Sequence, residues 1–443
     1  MACYWASHQY LHIFWRSLPK QRNFFPLAIV RQESRSSSHI SVHIQERFFS
    51  GCLNLKESLK LSNKQNPLGS CESPNYKKST GSSLVVAASK IDDVPYTSDN
   101  YLDGVGSKPA KDQLMLIDGT PVIYRAYYKI MSNLHHGGLQ HADGNGDWVL
   151  NIFKSLSLML DMLDLSPSHA AVIFDYDGEP CCYKPYHSNQ QISLPKGSTF
   201  RHSMYPAYKG NRIPTPDTVI QAFQYLKAAL AAMSIKVIQV PGVEADDVIG
   251  TLAMNGVAAG LKVQIVSPDK DFFQLLCPSI RLLRMAPRGS QVVSFGIEEF
   301  SEKFGDLKPS QFVDVTALAG DASDNIPGVD GIDLTNALQL IIKFGSLENL
   351  LQNLDLVAEG AIREALISNN GQALLSKDLA TLRCNLPFCM VPFKISDLLF
   401  KKPEDQGEKF INLLRAMSAF AEGSSSALIE NRVLSLWAKY SLA

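Results

Sequence analysis

Three short apolar runs, each closing at or just before an aspartate, frame the chain. Gln113–Ile117 ends at Asp118, Ala170–Phe174 ends at Asp175, and Lys262–Val266 continues through Ser267-Pro268 to Asp269. Runs of this length predict buried strands. Between them, apolar positions recur at helical spacing over about 148–164, 217–233 and 244–258. Ile235–Val240, 280–284 and 291–295 predict further strands. Strands alternating with helices in this way predict a parallel sheet covered by helices on both faces, an α/β fold. From about 297 the texture changes. Pro309, Gly320, Pro327, Gly328 and Gly331 punctuate short stretches of helical spacing, which predicts a smaller helical domain. Beyond 391 only a Lys401-Lys402-Pro403 turn and a helix carrying Trp437 are legible.

The 443 residues, 45% hydrophobic and 19% charged, suffice for two ordinary domains with a sizeable core. No stretch approaches the ~18 apolar residues of a membrane-spanning helix, so no membrane association is expected. The eight cysteines form no Cys-x-x-Cys and no zinc-ligand spacing with histidine, which predicts free thiols in a reducing compartment. Residues 1–50 hold six basic, two acidic and eight serine residues. Basic, serine-rich and acid-poor is the composition of an organellar transit peptide. Leu84-Val85-Val86-Ala87-Ala88 suits processing of a plastid precursor and Arg47-Phe48-Phe49-Ser50 a mitochondrial one, so plastid, mitochondrion or both are expected destinations.

Charge is uneven along the chain. Residues 1–110 carry 13 basic and 8 acidic side chains, and 111–443 carry 29 and 35. The acids collect where ligand sites of open parallel sheets lie, past the carboxyl ends of strands. Asp118, Asp175 and Asp269 each sit just past a strand, Asp271 follows two residues later, and Glu244, Asp246 and Asp247 start a helix. Asp321 and Asp324 join them from the later Gly-Asp-Ala-Ser-Asp-Asn turn. Taken singly, each acid reads as a helix cap or a solvated side chain. Nine on one rim would drive protonation unless cations intervene. Hard divalent metals with oxygen ligands are the expected answer, and Mg²⁺ is the first choice because it keeps waters and sits beside phosphates. Two such ions would cleave phosphodiesters, one activating water and the pair clamping the attacking and leaving oxygens. Setting those nine acids aside, the remaining charge of 111–443 is mildly basic and compatible with nucleic acid.

These residues, in this order, resemble the 5′-nuclease family, and most of all the 5′→3′ exonuclease domain of bacterial DNA polymerase I. The resemblance rests on Leu116-Ile117-Asp118-Gly119, Tyr124-Arg125-Ala126-Tyr127, Val172-Ile173-Phe174-Asp175, Thr199-Phe200-Arg201 and Tyr208-Lys209-Gly210-Asn211-Arg212. It rests also on Glu244-Ala245-Asp246-Asp247, Asp269-Lys270-Asp271 and Gly320-Asp321-Ala322-Ser323-Asp324-Asn325, and covers roughly 113–390. It implies a PIN-like 5′-nuclease core with a helical arch, followed by a helix–three-turn–helix DNA-binding domain. The expected organisation is a transit peptide and linker at 1–110, a catalytic domain at 111–300, the helical domain at 301–390 and an extension at 391–443.

The implied activity is metal-dependent hydrolysis of DNA near a free 5′ end, as a 5′→3′ exonuclease or flap endonuclease in organelle replication and repair. All nine acids are the implied metal ligands, for two Mg²⁺ with Mn²⁺ as substitute. Lys209 and Arg212, three apart, are the implied catalytic cations at the base of the arch. Tyr124, Arg125, Tyr127, Arg201, Tyr208, Gly328, Gly331 and Thr335 are the implied DNA contacts. Expected partners are 5′-flap DNA, an RNA primer in hybrid, and an organellar DNA polymerase in trans, because 443 residues leave no room for one.

Two features depart from the family pattern. Residues Glu179–Ser198 form a polar insertion near the arch. Asp333 and Thr335 stand where the family has a hairpin glycine and a lysine, which predicts weak duplex binding and no bound monovalent ion there. A catalytically weakened DNA-binding member of the family is therefore the alternative reading. Asp175-Tyr176-Asp177-Gly178 suggests a haloacid-dehalogenase-type phosphatase, but it follows the second strand rather than the first. A PIN-fold ribonuclease would seldom carry the Asp321-type acids.

Overall fold

A computed structural model describes residues 110–137, 146–176, 182–183, 192–193, 197–286, 291–421 and 426–441. The transit-peptide expectation, and all of the 179–198 insertion except residues 182–183, 192–193 and 197–198, lie outside the described residues.

The core is a six-stranded sheet. Its strands are β1 (Ala110–Asp118), β2 (Pro167–Ile173), β5 (Lys236–Ile238), β6 (Lys262–Val266), β7 (Ile280–Met285) and β8 (Val292–Phe295), in the order β5-β2-β1-β6-β7-β8. Two-residue strands β3 (Cys182–Tyr183) and β4 (Ile192–Ser193) pair separately. The first five strands of the main sheet are parallel and β8 runs antiparallel to β7. Parallel strands need helical crossovers and end up buried on both faces.

Side-chain alternation divides the core into two layers. Leu114, Leu116, Ile173 and Ile265 face one cluster, together with helix Ala245–Ala258 and the helices between residues 297 and 380. Met115, Ile117, Val172 and Val266 face the other, against helices Gly119–His135, Asp147–Leu163 and Asp217–Ala232. The helix at Gly119–His135 escaped the sequence pattern. Residues 408–418 and 427–441 are helical too, and Phe410, Leu414, Val433 and Trp437 close the second layer. Arg432, bridging Asp161 and Asp164 at 2.9 and 2.7 Å, fastens this last helix to Asp147–Leu163.

Register aligns the carboxyl ends of the central strands. Asp118 pairs with Ile173, and Ile117 with Val266. The residues following β1, β2 and β6 therefore emerge on one edge. Helix Phe312–Ala319, the 320–333 connection and helix Leu334–Phe344 pack beside this edge through the first cluster.

Candidate active site: a carboxylate rim interleaved with basic side chains

Each acid of the rim is placed by a local structural reason. Asp118 ends β1, and its Oδ2 accepts from Ser267 Oγ at 2.9 Å. That hydroxyl accepts from the Asp269 amide at 3.1 Å, and the Asp271 amide donates to Asp269 Oδ1 at 2.9 Å. Asp175 Oδ1 accepts the Ala245 amide at 3.0 Å and so satisfies one of the orphan N–H groups at the start of that helix. Asp321 curls back on its own turn, accepting from the Ser323 amide at 2.9 Å and hydroxyl at 2.7 Å.

Four of the nine acids carry basic partners inside the protein. Glu244 takes Lys209 Nζ at 2.7 Å, with Arg201 Nη1 at 3.6 Å. Asp247 is held by both terminal nitrogens of Arg201, at 2.8 and 2.9 Å. Asp324 meets Arg212 at 2.6 Å and Lys209 at 3.6 Å, and Asp321 meets Lys270 at 3.3 Å. Side-chain cations thus balance four of the nine acids expected as metal ligands. Burial alone would raise the Glu244 pKa, but Lys209 and Arg201 bring it down to about 2. Burial likewise pushes Asp321 up, and its Ser323 bonds and Lys270 pull it below the usual range.

Among the described residues, no basic side chain lies within 4 Å of Asp118, Asp175, Asp246, Asp269 or Asp271. Asp118, Asp246 and Asp271 are held well above the ordinary carboxylate range, and Asp269 above it, by burial first and then by neighbouring negative charge. Added positive charge beside such a set favours its ionised form. All donors are carboxylate oxygens, which fits a hard divalent cation. Among the described residues no three His, Cys, Asp or Glu side chains close on one point to hold an ion. The rim therefore offers donors without a finished cage.

An open cleft of ≈ 1190 Å³ adjoins the rim, lined by Asp175, Glu244, Lys209, Arg212, Tyr124 and Tyr128 among others. Lys209 lies in a turn rather than a helix, at φ +54°, and Arg212 directly follows that turn. They still converge, because both reach Asp324. The Arg212 side chain is 50% exposed. The Tyr124 hydroxyl is 2.7 Å from Thr215 Oγ1, and its ring stacks at 6.4 Å on Tyr128, which is 61% exposed. Sequence reasoning missed Tyr128. The signal was its place four residues after Tyr124, on the same helix face. It also left Lys270, His202 and Thr199 without roles; the first pairs with Asp321 and the other two line the cleft.

Several expected DNA contacts face inward. Arg201 is 2% exposed and locked to Asp247, so it offers no face to a nucleic acid, and Asp247, at 0%, offers none to a metal. Tyr208 is buried with its hydroxyl on Glu244 at 3.1 Å and Asp324 at 3.2 Å. Arg125 donates to the Ala286 carbonyl, and Tyr127 packs against the second core layer instead of lining the cleft. Gly328 is buried, and its amide donates to Ser376 Oγ at 3.1 Å, which removes it from any phosphate. Gly331 and Thr335 remain accessible. Asp333 has φ −83°, so this backbone does not need glycine there. Its carboxylate accepts the Asn336 amide at 2.8 Å, an N-cap that occupies an amide a phosphate would otherwise use. Between Phe174 and helix Asp217–Ala232, the described residues hold one helix, Phe200–Met204.

Residues 113–305 match the profile of the 5′-3′ exonuclease N-terminal resolvase-like domain, and 307–406 that of the 5′-3′ exonuclease C-terminal SAM fold. The chain belongs to the 5′-nuclease family. Both matched models are those of 5′-3′ exonucleases. The chain is 34% identical to the thermostable DNA polymerase I of Thermus filiformis over 275 residues, covering 62% of this chain and 29% of that one. It is 32% identical to DNA polymerase I of Rhizobium leguminosarum over 312 residues, covering 69% and 27%. The chain thus spans less than a third of the length of these relatives. Among solved structures it is similar to the T5 5′-exonuclease with bound zinc, at 20% identity and TM-score 0.46 over 70% of this chain and all of that one. It is also similar to the catalytic core of Rad2 in complex with DNA, at 15% identity and TM-score 0.45 over 73% and 92%.

Proposed function

We propose that this chain hydrolyses phosphodiester bonds of DNA near a free 5′ end, as a 5′→3′ exonuclease or flap endonuclease, with Mg²⁺. The observation that carries this reading is that Asp175, at the edge where the cation-poor acids emerge, lines the same ≈ 1190 Å³ cleft as Lys209 and Arg212. Asp118, Asp175, Asp246, Asp269 and Asp271 would hold the metal, and Mg²⁺ suits a rim without a closed cage because it usually binds through one or two carboxylates plus substrate phosphate. When bound, the metal supplies Lewis-acid activation of water and charge neutralisation at the phosphate. The chain's own groups do the rest. Half-exposed Arg212 offers a guanidinium to the scissile phosphate, matching its geometry. Lys209 adds positive charge beside it. Tyr124 and Tyr128 present stacked rings on which an unpaired base of either sugar type can rest.

The test is a 5′-flap duplex labelled at its 5′ end, incubated with Mg²⁺ or chelator, beside an Asp269→Ala, Asp271→Ala double variant. Short labelled products that require both metal and acids support the reading, and their length separates exonuclease from flap endonuclease. Binding without cleavage, unchanged in the variant, supports instead the weakened DNA-binding member. An RNA-primed duplex in parallel tests primer removal, and an organellar polymerase added in trans tests that partnership. The composition of residues 1–50 supports import into plastid or mitochondrion. A fluorescent fusion of residues 1–110 that stays in the cytosol would sink that part.

A further inference from the structure

Arg201 and Asp247 sit beside the rim yet are closed to both metal and DNA, and their bonds lead elsewhere. Asp247 Oδ1 accepts from Arg201 Nη2 at 2.9 Å and from the Arg383 amide at 2.9 Å, while Oδ2 takes Arg201 Nη1 at 2.8 Å. Arg201 Nε donates to the Leu379 carbonyl at 2.8 Å, and Nη2 also donates to the Thr381 carbonyl at 2.9 Å. These are four of the guanidinium's five N–H donors, and Nη1 also makes an ion-pair contact with Glu244 Oε1 at 3.6 Å. One short helix supplies a second tether, since its N-cap residue Thr199 donates to the same Glu244 oxygen at 2.9 Å.

The 379–386 segment is stitched to the rim at further points. Gln274, in the 3₁₀ turn that begins at Asp271, donates to the Ala380 carbonyl at 3.2 Å and accepts the Leu382 amide at 3.0 Å. Thr251, on the helix that starts at Ala245, donates to the Arg383 carbonyl at 3.1 Å and accepts the Leu386 amide at 3.3 Å. The Arg383 guanidinium lies over the Phe200 ring, 3.1 Å from its centroid.

We propose that Arg201 and Asp247 are a latch of positioning residues, which makes the placement of Glu244 depend on docking of the 379–383 segment. This rests on the nuclease reading of the rim. A carboxylate at the reacting edge must be held to a fraction of an ångström, and here one guanidinium sets Glu244 by reference to a segment about 180 residues away. The segment lies in the part matched by the C-terminal family profile, so the latch joins both matched regions at the site. Lysine cannot replace the arginine, because a single ammonium cannot grip Asp247 in two places and two carbonyls at once.

The experiment compares Arg201→Lys, Asp247→Asn and Arg201→Ala with Arg432→Gln, a control that loosens the terminal helix far from the rim. Cleavage of the flap duplex is measured well below each melting temperature, and amide exchange is followed at 379–386. The latch predicts that Arg201→Lys and Asp247→Asn lower kcat at least tenfold with KM within about twofold, as expected when Glu244 shifts and misplaces Lys209, which it holds at 2.7 Å. It predicts faster exchange at the Leu382 and Arg383 amides, and millimolar guanidinium restoring kcat in Arg201→Ala. Arg432→Gln lowers the melting temperature and leaves kcat unchanged. If Arg201→Lys fails to fold, Asp247→Asn, which keeps the side-chain shape, carries the test. A wild-type kcat in that variant, or a loss no larger than in Arg432→Gln, overturns the latch. Absence of cleavage by the wild-type protein overturns the nuclease reading itself.

Discussion

Gly328 and Gly331 lie three residues apart in the connection between two helices, both with left-handed backbone, at φ +66° and +84°. Replacing each by alanine separates two physical effects. Both pay for a side chain in a left-handed conformation, about 1–2 kcal/mol. At Gly331 nothing lies within 4 Å of the added Cβ, so the cost stops there. At Gly328 the Cβ would lie 2.4 Å from the Gly320 nitrogen and 2.7 Å from its Cα, both backbone atoms. Gly320 cannot retreat easily, because its amide donates to the Thr316 carbonyl at 2.8 Å. Forcing these strands of backbone apart adds about 1–3 kcal/mol, as overpacking typically does. Gly328→Ala should therefore cost about 2–5 kcal/mol against about 1–2 for Gly331→Ala. Denaturant unfolding of both variants measures this as a difference in midpoint at constant slope. The clash also bears on the site, because Asp321 and Asp324 lie between Gly320 and Gly328. Cleavage should fall in Gly328→Ala and persist in Gly331→Ala. Equal stabilities for the two variants would refute the close approach and the reasoning built on it.

Mg²⁺ should stabilise the protein, by about 2.7 kcal/mol at a concentration a hundred times its Kd; a thermal shift of equal size in the Asp269→Ala, Asp271→Ala variant would count against the rim as its site. Trp437→Ala should cost about 3–5 kcal/mol, as loss of a fully buried aromatic does, while spared cleavage rates below the melting temperature show that the terminal helix acts through stability alone. Cys389 is exposed, whereas burial and then the Asp247 charge push the Cys384 thiol up to about 11. Peptide mapping after brief maleimide treatment at neutral pH should find label at Cys389 well before Cys384.

The strands and the rim acids that follow them were legible because each depends on neighbours a few residues away. An apolar run ending in aspartate reads as a strand that delivers a carboxylate to the sheet's edge, and Asp118, Asp175 and Asp269 lie there. The helix at Gly119–His135 was harder, because it begins without a spacer directly at the end of β1. Tyr128 was within reach by helical spacing from Tyr124. Asp333 was read from its difference to a family motif, and only its φ showed that an aspartate cap sits there without strain.

By itself, then, the sequence determined that the acids following β1, β2 and β6 gather on one edge, since local apolar pattern and the strand–helix alternation suffice for that. Which of them need a cation from outside was decided only by tertiary structure. Arg201 reaches Asp247 across 46 residues and the Leu379 carbonyl across 178, and Arg212 reaches Asp324 across 112. Charge compensation of a buried carboxylate depends on whichever basic group the fold brings within a few ångströms, and no periodicity along the chain records that meeting.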